Sequence, residues 1–218
     1  MRSPLAALVT TYNEADTIGP LVHDLLQVCD SVLVVDDPAT TDDTERVAHD
    51  AGADTLVDSD AHGIGPCLLA GLRYLKGHWV VVLDAGGSHS PVSILPMCQR
   101  DGDVVIGSRF LPGSRYVGRP HRARLSRVYA KACNRRTGQR ITDWTSGFRR
   151  YSPDAVRAVL ARPPAAKMHG FQPQALAACL AAGCSVVEYP ITYRAGRTSM
   201  SPQVAREAIR VWRGLSCS

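Results

Sequence analysis

The chain has 218 residues, of which 45% are hydrophobic, so it is long enough for one sizeable core and predicts a single domain. Seven cysteines without a Cys-x-x-Cys pair argue against a disulfide framework or a cysteine zinc site, and predict reduced thiols in a cytoplasmic protein. No apolar run approaches the length of a membrane span, so any membrane contact is expected to be peripheral or through a membrane-protein partner.

Charge is distributed unevenly along the chain. Residues 1–100 contain 5 Lys or Arg and 14 Asp or Glu, whereas residues 101–218 contain 20 and 6. This asymmetry predicts an acidic half that handles a metal ion or hydroxyl groups, and a basic half that handles anions. Nucleic acid is the alternative anion, but few aromatic residues interleave with the basic ones. A discrete phosphate ligand is therefore favoured, and no nucleic-acid partner is expected.

Apolar runs alternate with helically spaced segments in the first half, which predicts βαβ units and a mostly parallel sheet flanked by helices, an α/β fold. The predicted strands there are 5–11, 31–35, 54–57, 80–83 and 103–106. The predicted helices begin at 15, 42, 63 and 91. The second half is predicted to contain a loop at 112–120, helices at 121–136, 154–160, 172–182 and 202–215, a turn-rich stretch at 143–149, and a strand at 185–193.

Acidic residues follow three of the predicted strands. Glu14 follows the first, Asp36 and Asp37 close the second, and Asp84 ends the apolar run at 80–83. Open parallel sheets bind ligands at the carboxyl ends of their strands, so these side chains are expected to converge. We interpret Asp36 or Asp37 as contacts to a ribose or base, and Asp84 as a neighbour of a divalent cation. The alternative for each cluster is a helix cap or a polar turn.

Three weaker signals lie near these carboxylates. A strong metal site usually has more than one carboxylate, yet position 86 is glycine. His89 is a second candidate metal ligand beside Asp84, with a structural hydrogen-bonding role as the alternative. Gly63-Ile64-Gly65 is either a short phosphate-binding loop or a tight turn.

The basic half is concentrated between Arg109 and Arg150, where 12 Lys or Arg accompany one acid, Asp143. A solvated helix face would normally mix both signs of charge. Arg122 and Ser126 are four residues apart on one predicted helix face, so both can contact one phosphate.

Several blocks resemble, in order along the chain, those of the inverting family 2 glycosyltransferases of GT-A fold, in the dolichol- and polyprenyl-phosphate mannose synthase branch. They are Val9–Glu14, Val35–Asp37 with Asp43 and Thr44, Gly63–Gly71, Val105–Phe110, Arg122 with Ser126, Asp143–Arg149, and Glu188–Ile191 with Arg194 and Ser199. The resemblance implies one GT-A domain over residues 1–218, with a nucleotide-sugar-binding half at 1–108 and an acceptor-binding half at 109–218.

The resemblance also implies a ligand for each half. The donor would be GDP-mannose or a UDP-sugar, bound with Mg²⁺ or Mn²⁺ beside Asp84. The acceptor would carry a phosphate, as in polyprenyl phosphate or a specialised-metabolite intermediate. The implied donor contacts are Tyr12, Glu14 and Asp37, and the implied acceptor contacts are Arg109, Arg122, Ser126 and Arg194.

Two positions depart from the family pattern. Asp84-Ala85-Gly86 stands where the family has Asp-Xaa-Asp, and Gln174 stands where a glutamate is usual. Both changes predict weakened or absent metal dependence. Two other functions compete with the transferase: a non-catalytic nucleotide-sugar-binding relative and a basic RNA-binding module. The apolar face of the closing helix, which includes Val211 and Leu215, is either interfacial or packed on the core.

Overall fold

The computed structural model describes residues 4–196 and 202–215. Its strands are β1 Leu5–Thr11, β2 Ser31–Asp36, β3 Asp54–Val57, β4 Trp79–Asp84, β5 Val104–Ser108, β6 Arg115–Val117, β7 Arg149–Tyr151, β8 Val186–Pro190 and β9 Thr192–Arg194. Its helices are α1 Ala15–Leu26, α2 Thr44–Asp50, α3 Ile64–Tyr74, α4 Ile94–Cys98, α5 Pro120–Thr137, α6 Pro153–Ala161, α7 Phe171–Ala181 and α8 Pro202–Gly214. Ser199, which belongs to one of the family-like blocks, lies outside the described residues.

Within the described residues, seven strands form the central sheet in the order β3-β2-β1-β4-β7-β5-β8. All neighbours are parallel except β7, which runs antiparallel between β4 and β5. Strands β6 and β9 form a separate parallel pair. The predicted α/β class with a mostly parallel sheet and flanking helices is confirmed.

Three sequence-based predictions of secondary structure were incomplete. The segment 112–120, predicted as a loop, contains β6 because its backbone pairs with β9. The predicted strand 185–193 is two strands, β8 and β9, separated at Ile191. Strand β7 was not predicted, because its first two residues are arginines.

Both arginines of β7 are buried, and their guanidinium groups donate hydrogen bonds to backbone carbonyl oxygens. Arg149 is fully buried and donates to three carbonyl oxygens, while Arg150 lies over the Trp79 ring and donates to two more. The acceptors are Ser146, Gln172 and Trp144 for Arg149, and Cys98 and Gly102 for Arg150. These two cations therefore stabilise the sheet, and they were wrongly counted with the anion-binding charge.

Alternate residues of the strands fill two hydrophobic layers, one on each face of the sheet. Leu8 and Val82 pack in the layer covered by α3, α6 and α7, whereas Val9 and Leu83 pack in the layer covered by α1. No disulfide joins the cysteines in the described part of the chain. The strands that lead to the sheet's carboxyl edge are thus packed on both faces.

The closing helix α8 packs alongside α5. Val211 and Leu215 are buried in the core, and Trp212 Nε1 donates to the carbonyl oxygen of Ala132 in α5. The apolar side of α8 is therefore the core-packed face, and the interfacial alternative for that side is wrong. Among the residues that the structure describes, no helix has the length and apolar character needed to cross a bilayer.

Candidate functional site

The predicted donor residues lie at one edge of the sheet. Thr10 of β1 pairs with Asp84 of β4, and Thr11 pairs with Asp36 of β2, so the three strands end at the same level. Glu14 follows in the loop after β1. The strand ends that carry these acidic residues therefore converge at the carboxyl edge of the sheet, which is where parallel sheets form a ligand-binding crevice.

The loop between β1 and α1 is fixed by polar contacts to the α2 region. Asn13 adopts a left-handed backbone conformation with φ of 54°, and its side-chain oxygen accepts a hydrogen bond from Thr41 N at 2.8 Å. The Glu14 backbone N–H donates to Thr44 Oγ1 at 2.8 Å. The Tyr12 side chain projects from this loop and is 56% exposed. Glu14 is thus held in a defined position, with an aromatic ring available beside it.

Asp36 and Asp37 are adjacent in sequence but differ in environment. Asp36 is buried, and its Oδ1 accepts from the Thr11 and Thr40 hydroxyls. Burial raises the pKa of Asp36, against the opposing effect of those two hydrogen bonds. Asp37 Oδ2 accepts from Gly63 N at 2.7 Å. Asp36 thus connects the ends of β1 and β2 behind the crevice, and Asp37 bonds to the residue before α3. Contacts from either residue to a donor stay predictions.

The glycines at the start of α3 permit close packing of the chain. Gly63 has a φ of 95°, which disfavours any other residue. A Cβ on Gly65 would collide with the carbonyl oxygen of Ala166, and Gly65 N donates to Lys167 O at 3.0 Å. These contacts agree with the tight-turn alternative, because the backbone faces the 166–167 segment. A contact from Gly63 to the donor stays a prediction.

Asp84 offers an accessible carboxylate in the crevice. Its side chain is 53% exposed, and Oδ2 lies 3.8 Å from His89 Nδ1. A Cβ built on Gly86 would lie 3.7 Å from Glu14 Oε1, which places position 86 beside Glu14. No group of three or more His, Cys, Asp or Glu within the described ranges could hold a metal ion. The donor set fits Mg²⁺ or Mn²⁺ only if diphosphate oxygens and water supply most of the ligands.

His89 sits behind Asp84 in an aromatic environment. Its side chain is 2% exposed, its ring centroid lies 5.0 Å from Phe148 and 5.3 Å from Tyr193, and Nδ1 has no hydrogen-bond partner in the described part. Burial lowers the pKa of His89, and the opposing effect of the Asp84 carboxylate is smaller. The His89 ring is therefore packed between aromatic rings behind Asp84, and burial favours its neutral form. The assignment of His89 as a metal ligand stays a prediction.

Arg109 and Asp143 form a buried ion pair at the end of β5. Arg109 Nε lies 2.6 Å from Asp143 Oδ2, Nη2 lies 2.7 Å from Oδ1, and Nη2 also donates to Thr145 Oγ1. Burial alone would raise the pKa of Asp143, but the Arg109 charge and hydrogen bonds outweigh it and hold that pKa below its usual value. Two of the three guanidinium nitrogens thus bind the Asp143 carboxylate. The role of Arg109 in binding the acceptor substrate stays a prediction.

The other predicted acceptor contacts lie on two elements near Arg109. Arg122 and Ser126 are half-buried on α5, in agreement with their predicted spacing on one helix. Arg194 is exposed at the end of β9, and its backbone N–H donates to Ser88 O in the loop after β4. That bond ties the second sheet to the Asp84 loop.

Some residues around this crevice were not predicted to take part. The Tyr193 ring lies 5.2 Å from the Arg109 guanidinium, and the Phe110 ring lies between Arg109 at 5.2 Å and Arg127 at 4.6 Å. Glu188 accepts from the backbone N–H groups of Thr142 and Asp143, and so fixes the segment that pairs with Arg109. The sequence offered two signals: Phe110 and Glu188 fall in family-like blocks, and Asp143 and Glu188 are rare acids in a basic half.

Comparisons with known proteins agree with this architecture. Residues 6–160 match the family model described as Glycosyl transferase family 2. The undecaprenyl-phosphate mannosyltransferase of Micrococcus luteus is 34% identical over 220 residues, covering 93% of this chain and 89% of the relative. The polyprenol monophosphomannose synthase of Mycolicibacterium smegmatis is 31% identical over 223 residues, covering 93% and 83%.

Solved structures share the fold. Glucosyl-3-phosphoglycerate synthase from Mycobacterium tuberculosis, in complex with Mn²⁺, UDP-glucose and phosphoglyceric acid, matches with a TM-score of 0.73. It is 19% identical, and the match covers 96% of this chain and 77% of that one. Mannosyl-3-phosphoglycerate synthase from Rubrobacter xylanophilus matches with a TM-score of 0.62 at 16% identity, covering 97% and 72%. The GT-A fold is confirmed by these neighbours.

The family match spans most of the chain, and two relatives exceed 30% identity over nearly its whole length. The chain therefore belongs to glycosyl transferase family 2, as the resemblance of its sequence blocks indicated.

Proposed function

We propose that this glycosyltransferase moves a hexose from a nucleotide sugar, GDP-mannose or a UDP-sugar, to a polyprenyl phosphate, with inversion at the anomeric carbon. The observation that carries the proposal is the exposed Asp84 carboxylate in an acidic crevice, with Arg194 tied to the same loop through Ser88. Two relatives named for polyprenyl- or undecaprenyl-phosphate mannosyl transfer support the choice of acceptor.

In this proposal the donor occupies the carboxyl edge of β1, β2 and β4. Tyr12 is exposed and can stack on the base, while Glu14 and Asp37 accept hydrogen bonds from donor hydroxyls. Asp36 acts indirectly, because it is buried and its Oδ1 accepts from two threonine hydroxyls that brace the strand ends. Asp84 then lies beside the diphosphate and the sugar.

The acceptor phosphate needs no general base. A phosphate monoester has its second pKa near ~6, so it is already ionised at neutral pH. One of its oxygens attacks the anomeric carbon, the bond from that carbon to the diphosphate oxygen breaks, and the nucleoside diphosphate leaves with the electron pair. Arg122, Ser126 and Arg194 would align the attacking phosphate, and alignment of this kind supplies much of the catalysis.

A divalent cation would neutralise charge on the leaving diphosphate when bound, and Asp84 is the residue that would hold it. Gly86 supplies no second carboxylate, so we expect weaker metal dependence than Asp-Xaa-Asp would give. Gln174 Oε1 accepts from Ala166 N at 2.9 Å, so this position holds the loop before α7. A glutamate at position 174 could accept the same hydrogen bond through a carboxylate oxygen.

The absence of a second carboxylate at Gly86 favours a second candidate function, a protein that binds a nucleotide sugar without turnover. Purified protein incubated with GDP-mannose, UDP-glucose or UDP-GlcNAc, a polyprenyl phosphate, and either Mn²⁺ or EDTA distinguishes the two functions. We expect GDP or UDP release with one donor, and a strong decrease for Asp84→Asn. Donor binding without nucleotide release under every condition would overturn the transferase and support the binding protein.

A further inference from the structure

Helices α5 and α8 lie side by side and share one solvent-facing surface. Tyr129 Oη donates to Ala208 O, and Trp212 Nε1 donates to Ala132 O, so successive turns of the two helices are in contact. Val211 on α8 is buried in the core. The opposite sides of both helices therefore face solvent together.

This surface exposes three aliphatic side chains. Leu125 and Val128 on α5 are 47% and 57% exposed, and Ile209 on α8 is 53% exposed. Leu125 and Val128 are three residues apart and so share a helix face. Ile209 follows Ala208, the residue that contacts α5 through Tyr129. The aliphatic groups thus lie on neighbouring turns of the paired helices.

Exposed charges around these side chains have one sign. We call the surface formed by the three aliphatic residues and their cationic neighbours the α5–α8 face. Its cations are Arg124, Lys131, Arg135, Arg206, Arg210 and Arg213, which are all exposed. None of the six is within ion-pair distance of a carboxylate in the residues that the structure describes.

The one acidic residue of the two helices does not offset this charge. Helix α5 contains no Asp or Glu, and α8 contains only Glu207. The Glu207 carboxylate accepts hydrogen bonds from the backbone N–H groups of Lys167, Met168 and Gly170. The Glu207 carboxylate therefore points to the loop before α7 and does not pair with the arginines. The net charge of the α5–α8 face is positive.

We propose that the α5–α8 face docks the protein on the surface of an anionic phospholipid bilayer. Cations next to an anionic membrane surface each add to affinity, and aliphatic side chains between them can insert at the boundary of headgroups and acyl chains. Single-stranded nucleic acid would instead require aromatic rings for base stacking, and the exposed apolar residues of this face are all aliphatic. The combination of charge and aliphatic groups therefore selects a lipid surface.

The α5–α8 face and two of the predicted acceptor contacts share one helix. The same helix α5 carries Arg122 and Ser126, and Arg127 lies over the Phe110 ring, next to Arg109. A docked bilayer would therefore bring lipid phosphates close to the helix that carries these predicted contacts. This part of the argument rests on the proposed lipid-phosphate acceptor.

Co-sedimentation with vesicles of phosphatidylcholine and phosphatidylglycerol tests the docking without donor or acceptor. We expect wild-type protein to sediment with these vesicles and to stay in solution with phosphatidylcholine alone. Replacing Arg124 and Arg210 with glutamine should weaken binding by about 25-fold, about fivefold for each cation. The matched control replaces Arg73 and Arg162 with glutamine. Both are exposed and lie outside α5 and α8, so this variant should bind like wild type.

A second variant tests the aliphatic contribution without changing charge. Val128→Ser with Ile209→Ser should weaken vesicle binding roughly tenfold. The control, Val92→Ser with Leu95→Ser, removes exposed aliphatic groups from another surface and should have no effect. All four positions are exposed, so unchanged melting temperatures are expected.

Failure of wild type to sediment with anionic vesicles, or equal binding by test and control variants, would overturn the proposal. So would an RNA oligonucleotide that binds more tightly than the vesicles and is unaffected by the serine substitutions. Transfer to a detergent-solubilised polyprenyl phosphate is measured separately. Loss of docking with intact transfer refutes only this inference, whereas docking without transfer refutes only the proposed function.

Discussion

Replacing Gly86 with aspartate adds a carboxylate beside Glu14, two residues after Asp84. The position accepts a side chain, because its backbone is outside the left-handed region and the nearest atom to an added Cβ is Glu14 Oε1 at 3.7 Å. Two like charges about 4 Å apart repel by about 1 kcal/mol in water and by about 4 kcal/mol near a protein surface. Glu14 is only half-buried, so we expect a loss near the lower value when no divalent cation is present.

Thermal unfolding with and without MnCl₂ measures this effect. For a chain of this size, about 1 kcal/mol corresponds to a decrease of about 2–4 °C in melting temperature. Mn²⁺ should reverse the decrease and then raise the melting temperature with concentration, because it binds the folded state. Gly86→Asn, which adds a similar volume without charge, should respond to Mn²⁺ like wild type. Equal Mn²⁺ responses for the aspartate and asparagine variants would refute the placement of position 86 beside the candidate cation site.

Three further perturbations test the contacts behind the crevice. Asp143→Ala leaves the Arg109 guanidinium unpaired, so denaturant unfolding should show a loss of about 3–5 kcal/mol, more than for Asp143→Asn; equal losses would argue against a charge effect. Burial lowers the pKa of His89 below 6.5, so the unfolded state binds the proton first as pH falls. Wild-type stability should therefore decrease more than that of His89→Gln between about pH 7.5 and about pH 5.5, and parallel curves would contradict the assigned burial effect. Gly65→Ala should lose about 1–3 kcal/mol because its methyl group meets a backbone carbonyl oxygen, and an unchanged denaturation midpoint would show that no such contact exists.

The strand ends of the first half could be predicted because buried parallel strands have a strong local signal. The apolar run before Asp84 is continuous, as expected for a strand covered on both faces, and its end is marked by a carboxylate and two glycines. Parallel pairing then places Glu14, Asp36 and Asp84 at one edge without further information. The acidic side of the crevice therefore follows from local patterns and one topological rule.

The basic half was harder to predict, because the environment of an arginine depends on residues distant in sequence. Arg109 pairs with Asp143, which is 34 residues away, and Arg149 bonds to carbonyl groups of two other segments. A run of cations gives no local indication of which members are buried. The number of cations in the sequence is therefore larger than the number available to an anion. Strand β7 could not be predicted either, because nothing local shows that its two arginines are buried.

The surface of α8 shows a related difference. Periodicity correctly predicted an amphipathic helix, but it could not say whether the apolar side packs on the core or lies at an interface. Val211 and Leu215 are buried, so the solvent side contains Ile209 and arginines. That assignment needed the packing against α5, which only the structure gives.

The most direct test of the proposed function is mass spectrometry of the lipid product. Purified protein is incubated with GDP-mannose and a short-chain polyprenyl phosphate, and UDP-glucose replaces GDP-mannose in a parallel reaction. We predict a hexosyl polyprenyl phosphate in one of the two reactions, formed in equal amount to the released nucleoside diphosphate, and lost in Asp84→Asn. Nucleotide release without a glycosylated lipid phosphate would contradict the proposed acceptor, and no product with any nucleotide sugar would contradict the transferase itself.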